Sequence, residues 1–160
     1  RILESVSIPV LASGGIGDGR GLAAALAMGA DGIEMGTRFL ATAECIAHPN
    51  YKQALVAARE TDTLIIERSL GTPGRVLAGP AAERILALEQ AGARDELIRA
   101  ISGAENRRAA IDGDMEGGWV WAGQVAGLIH DIPSVQDLLD RIVGDAARRL
   151  RAAAAACAAN

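Results

Sequence analysis

Two glycine loops, each standing directly behind a short apolar run, constrain this chain more than anything else in it. The first, Ser13-Gly14-Gly15-Ile16-Gly17-Asp18-Gly19, follows Ile8-Pro9-Val10-Leu11-Ala12. A continuous apolar run of that length is the pattern of a strand covered on both faces. The second, Gly36-Thr37, follows Asp31 to Met35, a further short strand. Between them Leu22 to Met28 is rich in Ala and Leu, long enough for two helical turns, with Gly29 placed to close the helix. The order strand, loop, helix, strand, loop is a βαβ unit. Its strands run parallel, so both loops emerge on one edge of the sheet, about one strand spacing apart.

Glycines at such an edge let backbone amides close on a ligand with no Cβ in the way, and converging amides form an anion nest. Helix N-termini behind the loops add partial positive charge. In (β/α)8 barrels the loops after the seventh and eighth strands often hold a phosphate. The unit therefore reads as a phosphate cradle with Gly14, Gly15, Gly36 and Thr37 as inner contacts, and Ser13 and Met35 beside them. A lone Gly-Gly would be an ordinary turn, but two loops at matched strand ends argue otherwise. A dinucleotide fold fits less well. Glu34 lies at a suitable distance for a ribose contact, but glycines at 14, 15, 17, 19 and 21 make no G-x-G-x-x-G. No Gly-Lys-Ser/Thr is present, which excludes a P-loop.

The run SGGIGDGRGLAAALAMGADGIEMGTRFLAT, continuing through Glu44-Cys45 and His48-Pro49-Asn50-Tyr51-Lys52, resembles the nitronate monooxygenase (2-nitropropane dioxygenase) family. It is similar as well to the flavin-dependent enoyl-acyl carrier protein reductases. A second block, Gly113 to Gly118 and Ala122 to Ile129, resembles the C-terminal part of both. The resemblance covers nearly the whole chain but only about the last half of the family's length. It implies an α/β fold, the C-terminal portion of a (β/α)8 TIM barrel (its last two strands) with an inserted, mainly helical subdomain. It implies FMN as cofactor, with Ser13, Gly14, Gly15, Met35, Gly36, Thr37 and Gln124 as binding residues and no metal. The implied activity is oxidation of alkyl nitronates with molecular oxygen. The alternative is NAD(P)H-dependent reduction of an enoyl thioester. The family's catalytic histidine lies upstream, so no catalytic residue is expected in this chain.

A closed barrel needs about 250 residues, and this chain has 160, beginning at Arg1 without Met. It is expected to be a piece whose partner is the missing N-terminal half, and to be inactive alone. The expected divisions are residues 1–51 for the last barrel strands and FMN-phosphate loops, and 52–112 for a mainly helical lid. Helices returning to the barrel follow over 113–151, then a frayed Ala-rich tail over 152–160.

Composition narrows the partners. With 50% hydrophobic residues, 22% charged and a net charge of −4, the chain has the make-up of a soluble globular protein. The acidic balance, one Tyr and one Phe, and no basic run argue against nucleic acid. No apolar run is long enough to cross a membrane and no signal peptide is visible. Cys45 and Cys157 have no metal-type spacing, Cys45 reading as a buried thiol and Cys157 as a tail residue; a reducing, cytoplasmic setting fits.

Among the remaining polar residues, Asp18 is expected to cap the helix behind the first loop and Arg20 to lie on its surface. Arg38 reads as a structural cation rather than a phosphate ligand. His48 and His130 read as structural, His48 in a turn and His130 near helix-terminal carbonyls. A helix is expected from Tyr51 to Glu60, a strand over Asp62 to Arg68, and a turn at Gly71-Thr72-Pro73-Gly74. Further helices are expected from Pro80 to Ala91 and from Asp95 to Ile101, the latter with Leu97, Ile98 and Ile101 on one side. Gly117-Gly118 reads as a flexible joint. Trp119 and Trp121 either border the site or plug the seam between lid and barrel. Gly123 and Gly127 would allow close helix packing. Ser134 is expected to cap a last helix with Val135, Leu138, Leu139, Ile142 and Val143 on its apolar face.

Overall fold

A computed structural model of the chain describes residues 1–101 and 103–159. A one-turn helix, α1 (Ile2–Ser5), leads to β1 (Leu11–Ser13), α2 (Gly19–Ala27) and β2 (Gly32–Glu34). β1 and β2 pair in parallel, Leu11 opposite Gly32 and Ser13 opposite Glu34. The βαβ unit is therefore present, its strands shorter than the apolar runs suggested. Asp18 caps α2, its Oδ1 accepting from the amides of Arg20 at 2.8 Å and Gly21 at 3.4 Å. At the far end Gly29 takes φ +96°, and the Ala30 amide reaches back to the Ala25 carbonyl at 3.0 Å. That long bond, with Gly29 N–H to Leu26 O, is the closure a glycine in the left-handed region permits.

After β2 come α3 (Thr37–Leu40), α4 (Pro49–Ala57), the antiparallel hairpin β3 (Thr63–Ile66) and β4 (Gly74–Leu77), then α5 (Pro80–Ala91), α6 (Arg94–Ala100) and α7 (Ala104–Ala110). A short 3-10 helix, Gln124–Leu128, and α8 (Val135–Ala158) complete the chain. Proline occupies the first helical position of α4 and α5, where its missing N–H costs no bond. α4 stops short of the expected Glu60 because Ala58 is already extended. Trp119 to Ala122 run antiparallel beside β4, with Leu77 N–H to Val120 O at 3.0 Å and Ala122 N–H to Arg75 O at 3.1 Å. The hairpin thus gains a third strand-like member that sequence periodicity did not reveal.

Two cores result. One gathers Tyr51, Leu55, Leu77, Ala109, Val120, Ala126 and Ile129 where α4, α7 and the 3-10 helix meet. The other gathers Ile66, Val76, Ile85, Leu97 and Trp119 between the hairpin and α5–α6. α8 packs on α2 through Leu138, Ile142 and Ala146, one residue per turn. Gly19 makes that approach possible, since a Cβ there would lie 2.7 Å from the Ile142 carbonyl oxygen.

Three expectations are corrected. Leu139 and Val143 face outward, so the buried stripe of α8 is narrower than its apolar residues suggested, and Ile98 on α6 is likewise exposed. The Ala-rich tail is helical: α8 runs to Ala158, because alanine is the strongest helix former and no Gly or Pro follows Gly144 in it. Nor are Gly117 and Gly118 a flexible joint. A Cβ on Gly118 would run into the Glu105 carbonyl and the Ala109 amide, so this glycine lets two backbones touch. Asn160, the end of the expected tail, lies outside the described residues. Among those described, no helix is long and apolar enough to cross a membrane.

Candidate functional site

The two glycine loops meet at one cavity of about 270 Å³, lined by Ser13, Gly14, Gly15, Ile16, Glu34, Met35, Gly36, Thr37, Gly123 and Val125. Six of the seven expected binding residues are brought together there. Gln124 is the exception: it is exposed at the head of the 3-10 helix, and its two neighbours line the cavity instead. Gly123 does so while donating its amide to Thr37 Oγ1 at 2.9 Å, which ties the C-terminal segment to the second loop. Gly123, expected from the sequence to serve close helix packing, thus lines the cavity instead.

The glycines of this region differ in what requires them. At Gly17 and Gly21 a Cβ would lie 2.5 Å from Val125 Cγ2 and 2.7 Å from Ile16 Cγ2, so those two serve packing. At Gly14, Gly15 and Gly36 a Cβ would meet nothing within 4 Å. Gly14 and Gly15 also sit at φ +91° and +72°, where a side chain is strained. Gly36 does not: its φ is −97°, open to any residue. Neither backbone strain nor a neighbour requires Gly36, which stands at the head of α3, lines the cavity and has open space where its Cβ would be. Gly14 and Gly15 make no hydrogen bond among the described residues, so their amides are free for a ligand.

No cation faces the cavity among the described residues. Arg38, directly behind Thr37, is 4% exposed and turned away, donating to the Asp131 carbonyl at 3.1 Å and to Asp131 Oδ1 at 2.7 Å. Burial pulls its guanidinium below the ordinary value, against the pull of Asp131. Arg20 pairs with Asp18 at 2.6 Å. Any anion in the cradle would therefore be met by the lining residues through backbone amides and hydroxyls rather than a cation. The charged group that does line the cavity is a carboxylate, Glu34, which accepts from Ser13 Oγ. Beside a phosphate it suits a hydroxyl-bearing portion of the same ligand, since it can accept but not donate. From the sequence, Glu34 stands out only at the spacing of a dinucleotide fold's ribose contact.

The other chemistry-bearing residues are structural. His48 caps α4, its Nδ1 accepting from the Asn50 amide at 3.1 Å, and His130 is exposed between the 3-10 helix and α8. Cys45 is half-buried and Cys157 exposed. Lys52, unremarked in the sequence, is buried with Nζ donating to Thr42 O at 2.6 Å and Ala43 O at 3.2 Å, holding the turn after α3. Burial pushes the Tyr51 hydroxyl above its ordinary 10.0. Trp119 fills the second core, while Trp121 is partly exposed. No group of three or more His, Cys, Asp or Glu among the described residues is placed to hold a metal.

The family model for nitronate monooxygenase matches residues 1–145. Among curated proteins, the chain is 33% identical to a (3aS,4S,5R,7aS)-5-hydroxy-7a-methyl-1-oxo-octahydro-1H-indene-4-carboxyl-CoA dehydrogenase of Rhodococcus jostii, covering 94% of this chain and 53% of that protein. It is 34% identical to a probable nitronate monooxygenase of Staphylococcus haemolyticus, covering 89% of this chain and 40% of the relative. Among solved structures, FabK from Thermotoga maritima superposes with a TM-score of 0.88 at 39% identity, over 96% of this chain and 49% of that one. Nitroalkane oxidase from Streptomyces ansochromogenes gives 0.72 at 31% identity, over 94% and 42%. The chain thus spans about half the length of the relatives it matches.

Proposed function

The chain belongs to the nitronate monooxygenase family, and on that premise we propose that it supplies the phosphate-binding half of an FMN-dependent enzyme that oxidises alkyl nitronates with molecular oxygen. The observation that carries the reading is Gly36, a glycine required by neither its backbone nor its neighbours, opposite two more whose Cβ positions are also empty. A phosphate fits that space, taking hydrogen bonds from the amides of Gly14, Gly15, Gly36 and Thr37. Glu34, oriented by Ser13, accepts from hydroxyls further along the cofactor. When bound, the flavin ring supplies the redox chemistry; this chain holds and orients it. β1 and β2 then stand as the last two strands of a barrel, and residues 52–112 as a lid that limits water at the reacting centre. The proton-abstracting residue belongs to the upstream half.

One observation favours a second reading, an enoyl-acyl carrier protein reductase: the superposition on FabK is better than that on nitroalkane oxidase, at higher identity. Anaerobic titration of the complete purified protein separates the two. Bleaching of the visible flavin bands by a short alkyl nitronate but not by NADPH supports the monooxygenase. Bleaching by NADPH with no response to nitronate moves the assignment to the reductase. A protein that binds no flavin, even with FMN added, refutes both.

A further inference from the structure

Among the described residues, the charged side chain that lines the phosphate cavity is an anion. Glu34 ends β2, and the parallel register sets it directly opposite Ser13 at the end of β1. The Ser13 hydroxyl donates to Glu34 Oε2, which anchors the carboxylate at the sheet edge from which both glycine loops spring. The nearby cations are engaged elsewhere, Arg20 with Asp18 behind the first loop and Arg38 with Asp131 behind the second. Asp31, just ahead of β2, accepts from the Val10 amide. The other elements at the cavity bring no titratable group to it: the first loop contributes Gly14 and Gly15, the head of α3 Thr37, and the 3-10 segment Gly123 and Val125.

An anion site built this way has a definite hydrogen-bond inventory. It offers amide donors and one group that can only accept. A doubly ionised phosphate brings acceptors alone, so it makes no bond to Glu34 and is repelled by it. The cavity holds only about 270 Å³, and salt at physiological strength screens little within about 8 Å. A singly ionised phosphate carries a P–O–H, which donates to a carboxylate in a strong, charge-assisted bond. Ser13 occupies one of a carboxylate's roughly four lone-pair sites, which leaves room for that hydrogen and for the hydroxyls further along the cofactor.

We propose that Glu34 makes the cradle selective for the ionisation state of its ligand: the phosphate is bound together with one proton, shared between a phosphate oxygen and the Glu34 carboxylate. The proposal rests on the FMN reading of the cradle and adds to it a proton taken up on binding. A phosphate ester loses its second proton near pH 6, so above about that pH the free cofactor must recover one to bind.

The test titrates FMN into the complete apoprotein from about pH 5.5 to about pH 8.5, on either side of the phosphate transition, followed by flavin fluorescence. Riboflavin is the phosphate-free probe. The FMN Kd of the wild type should rise about tenfold per pH unit above about pH 6, as uptake of one proton requires, while riboflavin binding stays level. Glu34→Gln keeps the size of the side chain but carries an amide that donates to phosphate. Its FMN profile should be flat, and near pH 8 its Kd should lie about tenfold or more below that of the wild type. Phosphorus NMR of the wild-type complex is a second readout and decides the matter if Glu34→Gln does not fold. Near pH 8 the bound resonance should lie to the singly ionised side, where free FMN shows the doubly ionised position. A level FMN profile in the wild type, an equal slope in Glu34→Gln, or a doubly ionised bound resonance overturns the proposal and leaves the FMN reading standing. A protein that binds FMN at no pH overturns the proposal together with the reading beneath it.

Discussion

Gly36→Ala separates a ligand's requirement from the fold's. The backbone at Gly36 has φ −97° and ψ −70°, which alanine adopts without strain, and no atom lies within 4 Å of the new Cβ. Two small terms act on stability. Replacing glycine narrows the unfolded ensemble and stabilises by about 0.4–1 kcal/mol. Alanine is poorer than glycine at a helix start, by up to about 1 kcal/mol. They nearly cancel, and the apoprotein melting temperature should move by less than about 3 °C for a chain of this size. Binding should respond quite differently. The methyl enters the phosphate space and denies the ligand at least one amide bond to a charged oxygen, worth about 1.5–3 kcal/mol. FMN affinity should fall by about ten- to a hundredfold, read by flavin fluorescence on titrating the complete apoprotein. An unchanged Kd with an unchanged melt refutes the cradle, because the empty space would then not be the ligand's. A large drop in the melt would instead show Gly36 to be structural. Gly14→Ala would not serve, since φ +91° strains any side chain there.

Gly118→Ala should do the reverse, costing stability at or above the upper end of about 1–3 kcal/mol in urea unfolding, because its Cβ meets the backbone of Glu105 and Ala109, which cannot rotate away. Removing Asp131 (Asp131→Ala) leaves the buried Arg38 guanidinium without its carboxylate. The loss should be about 2–3 kcal/mol, below the about 3–5 of a fully buried pair because Asp131 is half exposed, and Arg38→Met on the same background should recover most of it. Asp18→Ala should cost about 1 kcal/mol at neutral pH through loss of the α2 cap. Burial pushes the Asp18 carboxyl up, but Arg20 and the amides of Arg20 and Gly21 outweigh it and hold it below the ordinary 3.8. A lowered folded-state pKa means the contribution is complete above that value and is lost as pH falls through the folded one. Urea midpoints of wild type and Asp18→Ala should therefore converge in acid below 3.8.

Local punctuation was legible because its causes are local. Pro80 and Gly92 bracket α5 as expected, Asp18 and Ser134 cap their helices, and both glycine loops face one cavity. What could not be read depends on partners far along the chain. The strand ahead of Gly36 points to its cavity, but nothing near Gly118 in sequence reveals that it presses on the backbone of Glu105 and Ala109. Arg38 was correctly assigned to structure, but its partner Asp131 lies 93 residues away. Trp119 to Ala122 carry no strand signal of their own, because their pairing is imposed by β4. Leu139 and Val143 were assigned to the buried face of α8 on hydrophobicity alone, and only the narrow contact with α2 excludes them.

Those distant partners also bear on how the cradle works. Four tethers run from the stretch just after β2 to the C-terminal block: Thr37 Oγ1 to the Gly123 amide, Arg38 to Asp131, the Ala43 amide to the Pro133 carbonyl at 2.9 Å, and the Glu44 carboxylate to the Val135 amide at the head of α8. The second glycine loop is therefore held in place from behind by residues 123–135. Trp121 and Ala122, which are paired to the hairpin, lead directly into Gly123. The hairpin is thus joined to Thr37 by the hydrogen bond from the Ala122 amide to Arg75 O, one peptide link to Gly123, and the hydrogen bond from the Gly123 amide to Thr37 Oγ1. Gly123 in this way links the hairpin to the second glycine loop. The first loop, carrying Gly14 and Gly15, is connected instead through α2 to α8. Both loops also meet the segment that starts the 3-10 helix, Gly17 packing on Val125 and Thr37 accepting from the Gly123 amide, and the Ser13–Glu34 hydrogen bond ties the ends of β1 and β2 together.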